Sequence, residues 1–165
     1  MKRLPFVGII LGILCIYVIN THAMGIIQGN IESIPIPKKD ISFTIIDNIG
    51  TLTSVEHGSI DGKDYISGYN GLTLNVIPLD NIESIDFTKT TKAPASILEK
   101  LDNNPVVATV HFKNGGILTI LMDGSLLCYG KTPYGYVRIK LSLIDRIQDI
   151  KLLKKQKEIP TSNHK

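Results

Sequence analysis

Glu56, His57, Asp61 and Asp64 crowd one short stretch and carry the side-chain types that bind a divalent cation or move a proton. Their spacing follows no known cation loop, including the calcium EF-hand pattern, so a metal site is not expected there. His57-Gly58 reads as a turn, His111 as the polar face of a strand and His164 as part of the C-terminal tail. Cys128 stands in the apolar run Leu126-Leu127-Cys128-Tyr129, where a lone cysteine reads as a small buried hydrophobe. No glycine-rich loop follows a strand and opens a helix, so nothing is shaped to cradle a phosphate. The residues therefore predict no catalytic group, no metal and no cofactor, and the expectation is not an enzyme.

Aromatic residues give the one distribution that points to recognition. Tyr65, Tyr69, Tyr129, Tyr134 and Tyr136 fall in the third strand of a predicted five-strand unit, in the turn after it, or at the start of the fourth. Tyrosine offers a flat apolar face with a hydrogen-bonding tip, which suits contact with a peptide or a sugar. The alternative role is cross-strand packing that stabilises a small sheet. Tyr69 and Tyr134, in glycine-containing turns, are the two expected to be exposed; Tyr65, Tyr129 and Tyr136 are expected to pack.

The elements that would carry these side chains begin after an unusual N-terminus. Lys2 and Arg3 precede an apolar run from Leu4 to Ile19, and Thr21 and Ala23 supply a small-x-small pattern. That plan predicts a secretory signal peptide over 1–23, with an uncleaved anchor as its rival. The apolar run is shorter than the roughly 20 residues of a spanning helix. Cys15 follows Leu14, not the small residue that a lipoprotein signal requires. The chain carries a formal net charge of +3, and losing Lys2 and Arg3 brings it close to neutral, so no nucleic-acid partner is expected. Export to the periplasm or outside the cell follows, with no membrane span once the signal is removed.

Residues 24–41 read as an extended lead-in through Ile34-Pro35-Ile36-Pro37. From there, apolar alternation broken by glycine turns predicts strands over 42–88, a linker with a short helix over 89–105, strands again over 106–153 and a polar tail over 154–165. Pro94 would open the linker helix, with Ile97, Leu98 and Leu101 as its apolar stripe, capping a barrel end or a sheet edge. The two strand regions echo each other. At an offset of 66, Asn48, Gly50, Leu52, Thr53, Gly58 and Ser59 recur as Asn114, Gly116, Leu118, Thr119, Gly124 and Ser125. At an offset of 65, Asp80, Ile82 and Ile85 recur as Asp145, Ile147 and Ile150. The echo predicts internal duplication, with each aspartate at a one-turn corner before a last strand.

Each unit then reads as four strands, a one-turn helix and a fifth strand. That order resembles the small SH3-like or Sm-like barrels, in which a single 3₁₀ turn separates the fourth and fifth strands. Pro78 to Ile82 and Leu143 to Ile147 would be those turns. The glycine and asparagine signatures by which Sm proteins hold RNA are missing, so RNA binding is not implied. The V-x-I-P-x-x-x-I-x-x-I-x-F phrase is also similar to that of secreted bacterial proteins of unknown function. The expected architecture is all-β, two tandem five-stranded SH3-like barrels or meanders. The expected function is a non-catalytic envelope module that binds another envelope protein or its own copies, with a glycan or cell-wall ligand as the alternative and a small enzyme using His57 and its neighbouring carboxylates as the last.

Overall fold

The computed structural model describes residues 34–153 except Ile36 and Asn103. The predicted signal peptide, most of the lead-in and the polar tail lie outside the described residues. β1 (Ile41–Asp47) buries Ile41, Phe43 and Ile45 and turns Ser42 and Thr44 outward, the period-two alternation of a half-buried strand. β6 (Pro105–Phe112) does the same with Val106, Ala108 and Val110. β2 (Leu52–Ile60), β3 (Tyr65–Asn70), β4 (Thr73–Pro78) and β5 (Ile82–Lys89) follow β1. After the connector, β7 (Ile117–Asp123), β8 (Leu127–Thr132), β9 (Gly135–Lys140) and β10 (Ile144–Leu152) follow β6.

These ten strands form one open antiparallel sheet in the order β4-β3-β7-β6-β5-β10-β1-β2-β8-β9. Two separate tandem barrels are not what this order describes. β1 and β2 lie beside β8, β9 and β10, whereas β6 and β7 lie beside β3, β4 and β5. Each β-hairpin, β3–β4 and β8–β9, is therefore placed against a strand from the other half of the chain. Exchanging β1–β5 with β6–β10 leaves the order unchanged when it is read from the opposite end. The midpoint is the β5–β10 seam, where Ile85 pairs with Ile147 and Asp86 with Arg146. Ile85 and Ile147 are both fully buried in the apolar cluster that lines the inner face from end to end.

The registers revise the sequence echo. β1 pairs Ile46 with Leu52, and β6 pairs His111 with Ile117, so the counterpart of Leu52 is Ile117 and not Leu118. Leu52 and Ile117 are 65% and 66% exposed, whereas Leu118 packs against the core. A slip of one residue moves a side chain to the other face, which is why letter identity misleads here.

A 3₁₀ turn precedes the last strand of each half, at Leu79–Asn81 and at Leu141–Leu143. Leu79 and Leu141 are fully buried, and their N–H groups donate to the carbonyls of Asp64 and Leu126, each at 2.9 Å. The apolar leucine makes this corner, and no aspartate side chain caps it. Asp80 accepts from Lys39 Nζ at 2.6 Å with no side-chain bond to its own turn, and Asp145 lies in β10 beyond the second turn.

His57-Gly58 is likewise no turn. Both lie inside β2, at a bulge where His57 takes a left-handed φ of 51° and the register to β8 shifts between Glu56 and Ser59. The connector helix α1 (Ala95–Leu98) starts after Pro94 and runs into a 3₁₀ turn, Glu99–Leu101. Ile97 and Leu101 are buried as the apolar stripe requires, but the 3₁₀ turn lies against β7, inside the strand order, and not on an edge. No helix among the described residues is long and apolar enough to cross a membrane.

Candidate functional site

The strand order separates the five tyrosines into two groups at opposite ends of the sheet. Tyr65 and Tyr69 belong to β3, Tyr129 to β8, Tyr134 to the β8–β9 turn and Tyr136 to β9. Tyr134 is 99% exposed, in line with its turn position. Tyr69 is half-buried, because Lys100 of the connector stands 5.4 Å from its ring centroid. Tyr136 was expected to pack and instead is exposed, being on the outer face of an edge strand; Tyr65 and Tyr129 are half-buried.

Both hairpins turn small residues inward. A Cβ on Gly68 would come within 2.7 Å of the Leu121 carbonyl, and one on Gly130 within 2.4 Å of Val55 Cβ. Glycine at these two places lets each hairpin lie flat against its neighbouring strand. The outer faces differ. On β3–β4 the facing pairs are Tyr65 with Pro78, Ser67 with Val76 and Tyr69 with Leu74. Leu72, Leu74 and Val76 are 79%, 53% and 58% exposed, and neither strand contains a charged residue. On β8–β9 the pairs are Leu127 with Lys140, Tyr129 with Arg138 and Lys131 with Tyr136. One end of the sheet is an apolar, neutral surface; the other is a cationic surface with interleaved tyrosines.

β4 and β9 are also the edge strands, and no described strand pairs with their far sides. In an antiparallel ladder, successive residues direct their main-chain groups alternately toward and away from the partner. Leu79 bonds back to Asp64, so Ile77, Asn75 and Thr73 face β3, and Leu74 and Val76 direct their N–H and C=O groups outward. The bond from Leu141 to Leu126 sets the same phase at β9, where Tyr136 and Arg138 point outward.

Glu56, His57 and Asp61 each face a separate partner. His57 Nδ1 lies 2.8 Å from Asp40 Oδ1, in ion-pair range without the alignment of a hydrogen bond. Asp61 pairs with Lys63 at 3.0 Å, and Glu56 opposes Lys131 across β2 and β8. Among the described residues no three His, Cys, Asp or Glu side chains gather as metal ligands. A hollow of about 810 Å³ crosses β1, β2, β8 and β10; Glu56, Lys131, Asp149 and Lys151 give it balanced charge, and none of the five tyrosines lines it. Burial pushes the Cys128 thiol well above its ordinary range, so it is held as the neutral, unreactive form.

One polar constellation was missed by the sequence reading. Asp86 accepts from Arg146 Nε through Oδ1, and its Oδ2 lies 3.1 Å from His111 Nε2, on the outer face over the β5–β10 seam. The three residues come from β5, β10 and β6, and only strand pairing brings them together. All three are about a third to a half exposed on the sheet face, so the arrangement ties three strands at the seam and adds only a fraction of a kcal/mol per pair.

Comparison with curated proteins and with solved structures finds no match. The model of a family described as "Uncharacterised protein" matches residues 37–156, an unbroken span that takes in all ten strands. By that match the chain belongs to this family of uncharacterised proteins.

Proposed function

We propose that this protein is a non-catalytic, exported envelope module that works by protein–protein contact through its β3–β4 edge hairpin. The observation that carries the reading is the neutral apolar surface of Leu72, Leu74 and Val76 on a strand whose outward main-chain groups are unpaired among the described residues. Exposed apolar patches on edge strands are where chains add strands to one another. The basic and apolar N-terminal run supports export. The end-for-end symmetry of the strand order favours a duplicated five-strand unit whose copies have exchanged their β3–β4 and β8–β9 hairpins, a variant of the SH3-like plan with its 3₁₀ corner kept in both halves. Size-exclusion chromatography with light scattering, together with pull-down from envelope extracts, tests the function. Self-association or a retained envelope protein is expected, lost in Leu74→Lys; a monomer that retains nothing contradicts it.

A second reading is favoured by the opposite edge. Tyr134 and Tyr136 are exposed beside Lys131, Arg138 and Lys140, a surface suited to an anionic glycan or cell-wall polymer. Sedimentation with peptidoglycan, compared between the wild type and a Tyr134→Ala, Tyr136→Ala double variant, tests it. Equal sedimentation of the two contradicts a tyrosine-based site.

A further inference from the structure

Resting on the interaction reading above, we infer that the occupant of the β4 edge is β4 of a second copy of this chain, paired antiparallel about a two-fold axis at Asn75. The phase of the ladder fits this register. Leu74 and Val76 direct their N–H and C=O groups away from β3, so an axis at Asn75 sets Leu74 opposite Val76 of the second copy and Val76 opposite Leu74. That register satisfies all four outward N–H groups, two from each chain, with the outward carbonyls of Leu74 and Val76 of the other. Pro78 sits where the pairing runs out: its carbonyl faces Leu72 of the second copy, and its missing N–H leaves no donor stranded between the chains. Leu72, Leu74 and Val76 from both copies then make one apolar strip on the outer face.

Charge separates this edge from its counterpart. β3 and β4 hold no charged side chain, so two copies meet there without like-charge contact. At β9 the outward positions equivalent to Leu74, Val76 and Pro78 are Tyr136, Arg138 and Lys140, with Lys131 on the adjoining strand. Self-pairing of β9 in the equivalent register would set Arg138 opposite Tyr136 of the second copy and bring the two Arg138 side chains together as diagonal neighbours, and positive side chains are the usual guard of an edge strand. Pairing β4 with β9 would leave one free edge of each kind and propagate into an open filament. Only the β4–β4 contact is both neutral and closed.

In the proposed register the two Asn75 residues form a non-hydrogen-bonded pair with Cα atoms about 4.5 Å apart, close enough for a disulfide. The test is therefore Asn75→Cys in the full chain carrying Cys15→Ser, oxidised with copper phenanthroline. A disulfide-linked dimer is expected, and none from the Cys15→Ser parent, whose remaining Cys128 is buried. Light scattering should give twice the chain mass for the wild type and for Arg138→Ala, and the single mass for Val76→Lys with an unchanged circular dichroism spectrum. A wild-type monomer overturns the inference. If that monomer still binds an envelope protein through the hairpin, the interaction reading stands and only the second copy is lost. A monomer with protected Leu74 and Val76 amides assigns the edge to another segment of the same chain, which also overturns it. A dimer that neither cross-links at position 75 nor responds to Val76→Lys associates through another face. The cross-link decides the matter even where Val76→Lys fails to fold.

Discussion

The β3–β4 and β8–β9 hairpins hold equivalent places at the two ends of one sheet, yet they present opposite chemistry to solvent. Each is seated by a glycine against a strand from the other half of the chain, and each ends in a 3₁₀ turn with a buried leucine. Their inner faces are matched because both close the same core. Ile66 faces Ile77 on one, and Cys128 faces Ile139 on the other. The outer faces are free of that constraint, and there Leu74 and Val76 stand where Tyr136 and Arg138 stand at the other end. The fold therefore fixes where an edge strand lies, while a few outward residues decide whether the edge is open or guarded.

Substitution at the seating glycines should break the comparison most forcefully. Gly68→Ala and Gly130→Ala each force a Cβ against a backbone or branched neighbour, an overpacking cost of about 1–3 kcal/mol. Urea midpoints should fall for both, and a fall in only one would show that the hairpins are not seated alike. A smaller effect separates the inner faces. The neutral Cys128 thiol has a folded-state pKa above its unfolded one, so its stability contribution is complete below the unfolded range near pH 8.5 and is lost as pH rises beyond it. Between pH 7.5 and 9.5 the wild type should lose about 1.4 kcal/mol more than Cys128→Ala, read from urea melts at the two pH values. Arg138→Ala should have the smallest effect on stability, within about 0.5 kcal/mol, because the side chain is exposed on an edge.

Much of the fold could be read from the residues themselves. Alternation and glycine turns located the strands on both sides of the connector, and Pro94 with Ile97 and Leu101 located its helix. The placement of each hairpin against a strand from the other half of the chain was not legible, because a period of two identifies the faces of a strand and says nothing of its neighbours. Inside and outside were equally ambiguous in β4, where Ile77 is the buried residue and the apolar Leu74 and Val76 face solvent. His57 was misread because a left-handed residue before glycine carries the same signal in a bulge as in a turn. Of the candidate surface, Tyr134 was correctly placed in solvent. Tyr69 was not, since the covering Lys100 belongs to a segment distant in sequence.

Amide hydrogen exchange reads the difference between the two edges residue by residue. If β4 is the open edge and pairs with another strand, the N–H groups of Leu74 and Val76 should be protected in a concentration-dependent way. Those of Tyr136 and Arg138 should exchange at rates typical of exposed amides. Equal, rapid exchange at both edges at every concentration would contradict the account.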